Sequence, residues 1–160
     1  MRIYLLRHGI AEEASSRTPD FKRELTDEGR KKLAGVLRLA RRAGVQPELV
    51  MSSPLVRAIQ TGEMAREVLQ VEAAVHETRT LVPEGSPRVV WEELRGLRNL
   101  EAVLLAGHEP LLSTLTAWLL GAPELHVHMA KAAMVSIEMD QFRGEPHGSL
   151  RWMITPKLAD

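Results

Sequence analysis

The chain opens with a short apolar run, Ile3-Tyr4-Leu5-Leu6, that breaks off at Arg7-His8-Gly9. Such a run reads as a buried strand that delivers a cation and an imidazole at its carboxyl end, where open α/β sheets bind their ligands. The glycine lets the backbone turn tightly and approach a ligand closely. The same design returns in Leu104-Leu105-Ala106-Gly107-His108-Glu109-Pro110, an apolar run that ends in Gly-His and meets a proline suited to the first turn of a helix. Two core strands therefore each end in a histidine, and this constrains both the fold and the place of a site.

Strand-like and helix-like segments alternate along the rest of the chain without repeats or low-complexity tracts, which predicts an α/β sheet. Thr26 is a fitting N-cap, with Asp27 and Glu28 in the first turn. Leu33, Val36, Leu37 and Ala40 then share one helical face, and Gly44 supplies a stop. Leu49-Val50-Met51 reads as the second strand. Ser53-Pro54 reads as the cap and first residue of a helix with Leu55, Ile59, Gly62 and Ala65 along one face. Val103 to Ala106 and Leu111 to Leu120 repeat the strand-then-helix unit. Near the C-terminus Val135, Ile137 and Met139 alternate with Ser136, Glu138 and Asp140; after a turn Leu150, Trp152 and Ile154 alternate too, which predicts an antiparallel pair at a sheet edge.

At 160 residues and 44% hydrophobic content the chain suits one core, so a single domain over 1–160 is expected. Lys plus Arg and Asp plus Glu number 21 each, which leaves no global field to attract nucleic acid or an anionic membrane. An anion site must be local. The absence of cysteine excludes disulfides, thiolate nucleophiles and cysteine-ligated metals. The first apolar stretch is too short for a signal-peptide core or a membrane span, so a cytoplasmic protein is expected.

Arg57, three residues past Pro54, falls in the first turn of its helix, where free N–H groups and the helix dipole favour an anion. If the second strand neighbours the first, Arg57 reaches the group bound at His8. Two arginine forks and two imidazoles suit a phosphoryl group. In such a pocket a neutral histidine can attack phosphorus and form a phosphohistidine that water later cleaves. His8, flanked by Arg7 and Gly9, is the better nucleophile, and His108 is placed to donate to the developing equatorial charge.

The segments Leu6-Arg7-His8-Gly9, Leu25-Thr26-Asp27-Glu28-Gly29, Ser52 through Thr61 and Gly107-His108-Glu109-Pro110 resemble, in order and spacing, the histidine phosphatase (phosphoglycerate-mutase-like) superfamily. The resemblance implies a three-layer α/β/α sandwich around a mainly parallel sheet, with His8 phosphorylated and Arg7, Arg57 and His108 completing the phosphate pocket. Compact length and Arg23-Glu24-Leu25-Thr26 are most similar to the SixA-type phosphohistidine phosphatases, in which Arg23 would match a further phosphate contact. Ile10 departs from that type, which places an aspartate after the glycine. Branches that act on phosphate esters carry an acid in mid-chain to protonate the leaving oxygen. Here Leu81-Val82-Pro83 puts proline at that place, with Glu84 adjacent and Glu77 earlier. The short stretch between Arg57 and His108 also leaves little room for a cap over small substrates.

The expected activity is thus a cofactor-independent phosphatase acting on a phosphorylated protein, with a histidine-phosphotransfer domain as the natural substrate. A small-ester phosphatase using Glu84 or Glu77 as acid, and a phosphoprotein-binding module without turnover, are the alternatives. His126, His128 and His147 have no acidic partner at ligand spacing and read as exposed histidines rather than a metal site. His76 has no motif. Arg30-Lys31-Lys32 through Arg42 reads as the solvated face of a helix, and Trp91, Trp118 and Trp152 read as packing residues.

Overall fold

A computed structural model describes residues 1–159. Its central element is β1 (Arg2–Arg7), whose residues Ile3 to Leu6 are all buried. Successive strand side chains point to opposite faces, and both faces of β1 are covered. Ile3 and Leu5 enter one core cluster, Tyr4 and Leu6 the other. A strand buried on both faces is apolar throughout, which is why the opening run shows no polar alternation. β4 (Ala102–Gly107) repeats the arrangement, with Val103 and Leu105 on one side and Leu104 and Ala106 on the other.

Two helical layers supply those covers. α1 (Asp27–Arg42) and α2 (Val56–Leu69) bury Leu33, Val36, Leu37, Ala40, Ala65 and Leu69 against one face, where the short α5 (Pro156–Ala159) also packs. α3 (Pro87–Gly96) and α4 (Leu111–Leu119) bury Val90, Trp91, Leu94, Leu111, Leu112 and Leu115 against the other. The expected three layers are present. Thr26 caps α1 as its sequence requires, accepting a hydrogen bond from the Gly29 N–H, and Gly44 follows the helix at φ +79°.

The six-stranded sheet runs β3-β2-β4-β1-β5-β6, with β2 (Leu49–Ser52), β3 (His76–Glu77), β5 (Met134–Glu138) and β6 (Ser149–Ile154). β3, β2, β4 and β1 pair in parallel, while β5 and β6 form the predicted antiparallel pair at one edge. Three local expectations are corrected. β2 lies beside β4, not β1. α2 begins at Val56 with Leu55 as its cap, two residues later than Ser53-Pro54 suggests, and it buries Arg57, Ala58, Thr61, Gly62, Ala65 and Leu69, while Leu55 and Ile59 stay partly exposed. Pro110 stands at the cap of α4, one residue before its first turn.

The polar alternation of β5 has a different meaning from a solvent face. Ser136 is 1% exposed and lies in register between Tyr4 on β1 and Trp152 on β6, whose rings stack at 5.9 Å between centroids. A side chain as small as serine lets the two rings close over it. The register of β1 with β4 matters most for function: Arg7 pairs with Gly107, so the next residues, His8 and His108, leave the sheet side by side. Among the described residues no helix is long and apolar enough to cross a membrane.

Candidate active site

His8 emerges from β1 almost fully buried, 6% exposed. Its Nδ1 lies 2.7 Å from the Gly9 carbonyl oxygen and its Nε2 lies 3.3 Å from Nε of Arg57. A carbonyl only accepts and a guanidinium only donates. The ring is therefore neutral, with its proton on Nδ1 and a lone pair on Nε2. Burial holds its pKa at about 4, below the usual 6.5; the Gly9 bond opposes this, and the charges of Arg57, Arg7 and Lys131 add to it. The imidazole that resemblance assigns as nucleophile is thus unprotonated and surrounded by cations.

The close turn after His8 is built by two glycines. A Cβ on Gly29 would lie 2.1 Å from the Ile10 carbonyl oxygen, and one on Gly9 would press on Gly29 and Leu25 at 3.2 Å. The loop after β1 is thereby seated on the first turn of α1. The Gly9 N–H also donates to Oγ1 of Thr61, which itself donates to the Arg57 carbonyl at 2.7 Å, so the His8 loop and the first turns of α2 are held as one unit.

Arg57 is 3% exposed and reaches His8 from α2 even though β4 stands between their strands. Its length and its place at the start of the helix make strand adjacency unnecessary. Nη1 donates to the Asp20 carbonyl at 2.8 Å, and Nη2 contacts Oδ2 of Asp20 at 3.2 Å. Asp20 begins the short 3-10 helix Asp20–Lys22, and its Oδ1 accepts two bonds from Arg23, at 2.7 and 3.0 Å. Arg23 also donates to the Glu12 carbonyl. Arg23 therefore joins the site's edge through a carboxylate shared with Arg57. Sequence reasoning missed Asp20, because a polar residue in a polar loop gives no signal of which arginine it will meet.

His108 is 1% exposed, with its ring centroid 5.0 Å from that of His8. Its Nε2 lies 2.8 Å from Oγ of Ser53, which accepts the Leu55 N–H at 3.3 Å. Among the described residues His108 Nε2 is the one acceptor within reach of this buried hydroxyl proton, so donation from Ser53 satisfies it and puts the imidazole proton on Nδ1. Among the described residues Nδ1 has no partner, and neither does Nε of Arg7, whose Nη1 donates to the Met129 carbonyl at 2.6 Å. Buried donors without partners are costly, and both belong to residues assigned to an anion. Burial, with the nearby His8 and Arg57, lowers the His108 pKa to about 3. Ser53, read from sequence mainly as a helix cap, instead orients His108.

The remaining candidates lie elsewhere. Glu77 and Glu84 are exposed, and Pro83 occupies the turn between the 3-10 helix Arg79–Leu81 and α3. His126, His128, His147 and His76 are exposed, and among the described residues no cluster of His, Cys, Asp or Glu has metal-holding geometry. A neutral imidazole lone pair beside a guanidinium, a second neutral imidazole with a free N–H, and further arginines at the rim can together bind and transfer a tetrahedral phosphoryl group.

The family model for branch 1 of the histidine phosphatase superfamily matches residues 3–81, and with the similarities that follow the chain is a phosphatase. It is 28% identical over 158 residues to the phosphohistidine phosphatase SixA of Escherichia coli (strain K12), an alignment covering 98% of this chain and 94% of that one. Among solved structures, the protein histidine phosphatase SixA complexed with tungstate superposes with a TM-score of 0.87 at 25% identity, covering 98% of each chain. The mycobacterial glucosyl-3-phosphoglycerate phosphatase shares the fold, with a TM-score of 0.66 at 18% identity over 93% of this chain and 96% of that one.

Proposed function

We propose that this phosphatase dephosphorylates phosphohistidine in a protein substrate, through a phosphoryl intermediate on Nε2 of His8. The observation that carries the reading is the state of His8: neutral, buried, its lone pair on Nε2, its Nδ1–H anchored to Gly9. Arg7, Arg57 and His108 bind the phosphoryl oxygens, with Nε of Arg7 and Nδ1–H of His108 as ready donors. Arg23 contributes charge at the rim. His8 attacks phosphorus in line, the substrate's leaving group departs, and water cleaves the enzyme phosphohistidine in a second in-line step.

Substrate class follows from acid supply. An alkoxide leaves poorly without a positioned carboxylic acid, and Glu77 and Glu84 stand exposed, their carboxylates making no hydrogen bond or ion pair to the pocket residues among the described residues. Asp20, the carboxyl group that contacts Arg57, is held below the ordinary carboxylate range: partial burial works against its charge, but the Arg23 and Arg57 guanidiniums outweigh it. It is ionised at neutral pH and has no proton to give. A phosphoramidate has a weaker bond to phosphorus and a ring that takes its proton from solvent. Two of the similar proteins support the reading, one being a phosphohistidine phosphatase and one a protein histidine phosphatase complexed with tungstate, a tetrahedral oxyanion. A histidine-phosphotransfer domain, which presents an exposed phosphohistidine, fits an uncapped pocket.

The test is a rapid-quench incubation with labelled phosphohistidine protein. Acid-labile label should appear on the unaltered chain and be absent from His8→Ala. In parallel, kcat/KM should be high for phosphohistidine and aryl phosphates and low for glycerol and sugar phosphates. Label persisting on His8→Ala removes the nucleophile assignment; equal rates on alkyl and aryl phosphates remove the substrate assignment and point to Glu84 as acid. An added chelator should change nothing, whereas lost activity would implicate His126 and His128.

A further inference from the structure

Asp20 stands on the outer side of the guanidinium that contacts His8. The Arg57 guanidinium has an inner and an outer side: Nε faces the His8 lone pair at 3.3 Å, while Nη2 faces Asp20 Oδ2 at 3.2 Å. In-line displacement sends the leaving group away from the attacking nitrogen. His8 is buried, so the departing group moves outward, toward the side on which the Asp20 side chain stands 58% exposed.

The carboxylate is not needed to hold Arg57. The Asp20 main-chain carbonyl already accepts from Nη1 at 2.8 Å, a shorter contact than the side chain makes. Arg23 secures Oδ1 with two bonds, whereas Oδ2 has the single long contact to Arg57. A carboxylate offers about four acceptor positions, so Oδ2 has capacity to spare. The other carboxylate near the pocket, Glu109, has Oε1 committed to the Ser113 N–H in the first turn of α4.

We infer that Asp20 is a substrate-recognition residue whose Oδ2 accepts a hydrogen bond from the far ring nitrogen of the substrate phosphohistidine, and so selects a phosphorylated imidazole over a phosphate ester. The inference rests on the function proposed above and names the specificity element of that site. When His8 Nε2 forms its bond to phosphorus, the substrate's P–N bond breaks and its electron pair stays on the departing ring nitrogen. With a proton already on the far nitrogen, the ring leaves as neutral imidazole and no proton has to reach the breaking bond. Asp20 favours that protonated ring. An ester has no N–H to offer, and its departing oxyanion meets the carboxylate as a like charge.

The experiment compares phosphoimidazole with its N′-methyl analogue, which carries the same phosphoryl group but no N–H on the far nitrogen, and with an aryl phosphate. Asp20→Asn and Asp20→Ala are measured against the unaltered protein, and the exposed position of Asp20 keeps both variants foldable. The kcat/KM ratio of phosphoimidazole to its methyl analogue should fall by roughly tenfold or more in both variants, the scale of a lost hydrogen bond to a charged group. The ratio of phosphoimidazole to aryl phosphate should fall with it. If every rate changes by one common factor, in either direction, Asp20 only positions or shields Arg57 and the inference is overturned. If the unaltered protein turns over aryl phosphate but neither phosphohistidine nor phosphoimidazole, the proposed function itself fails and takes the inference with it.

Discussion

At the scale of single residues, the site depends on geometry that charge alone cannot replace. Arg57 gives Nε to His8 while both its terminal nitrogens are bound to Asp20. A lysine at this position keeps the charge and loses the fork. Arg57→Lys should lower kcat/KM by about 100-fold, the scale of one preorganised donor removed, and near-normal turnover would show that a point charge suffices. Ser53→Ala tests orientation instead. It leaves the Leu55 N–H and His108 Nε2 without their shared hydroxyl in a fully buried place. We expect about 1–3 kcal/mol of lost stability from the unsatisfied groups, together with reduced kcat. Retained kcat at reduced stability would limit Ser53 to a structural role. Arg7, His8, Arg57 and His108 were legible as a set because each ends a strand, follows directly on one or lies in the first turn of a helix. Asp20 and Lys131 were not, since no motif marks either residue and their partners are set by how loops fold back.

At the scale of elements, the loop after β1 and the first turn of α1 form a joint with no slack. The Gly29 position cannot take a methyl group without moving the Ile10 carbonyl, whose oxygen would stand 2.1 Å from the added carbon. Gly29→Ala should therefore cost about 1–3 kcal/mol by overpacking and also reduce turnover, because the displaced segment carries His8. Thr26→Ala removes the cap, worth about 1 kcal/mol, and the hydroxyl's 3.3 Å bond to the Ile10 carbonyl, but that carbonyl keeps the Thr26 N–H and is not pushed aside, so the variant should spare activity far more at a similar loss of Tm. Thermal melts set beside kinetics for the pair decide whether the joint matters to chemistry. The apolar period of α1 was readable because one face is buried and the other solvated. The start of α2 was misplaced by two residues, because Ser53-Pro54 has the composition of a cap while the Ser53 hydroxyl is engaged by His108 from another strand.

At the scale of the whole molecule, two neutral buried imidazoles tie stability to pH. In the unfolded chain both titrate near 6.5, whereas the fold lowers His8 to about 4 and His108 to about 3. Between those limits the unfolded state binds more protons, so stability rises with pH through the window and falls on acidification from 6.5 downward. Above that range both rings are neutral in either state and the contribution is complete. The Tm should drop between pH 7 and pH 4, and the drop should shrink in His108→Gln. An unchanged slope in that variant would mean that His108 is not the buried neutral ring described. Turnover of an acid-stable aryl phosphate should persist below pH 6, because the free enzyme keeps His8 unprotonated there.

Local sequence determined β1, β2, β4, α1, α4 and the β5–β6 pair, and singled out Arg7, His8, Arg57 and His108 as candidates for an anion site; β3, α3 and α5 carried no such local signal. Apolar runs and apolar periods set strand and helix through side-chain direction, and Arg7-His8-Gly9 points to an anion site only in combination with Arg57 and Gly107-His108. The tertiary structure alone decided the strand order that inserts β4 between β1 and β2, the burial of Ser136 beneath Tyr4 and Trp152, and the contact of Asp20 with Arg57. These join segments far apart in the chain. Their partners are chosen by packing both faces of one sheet at once, and no local pattern of residues records that choice.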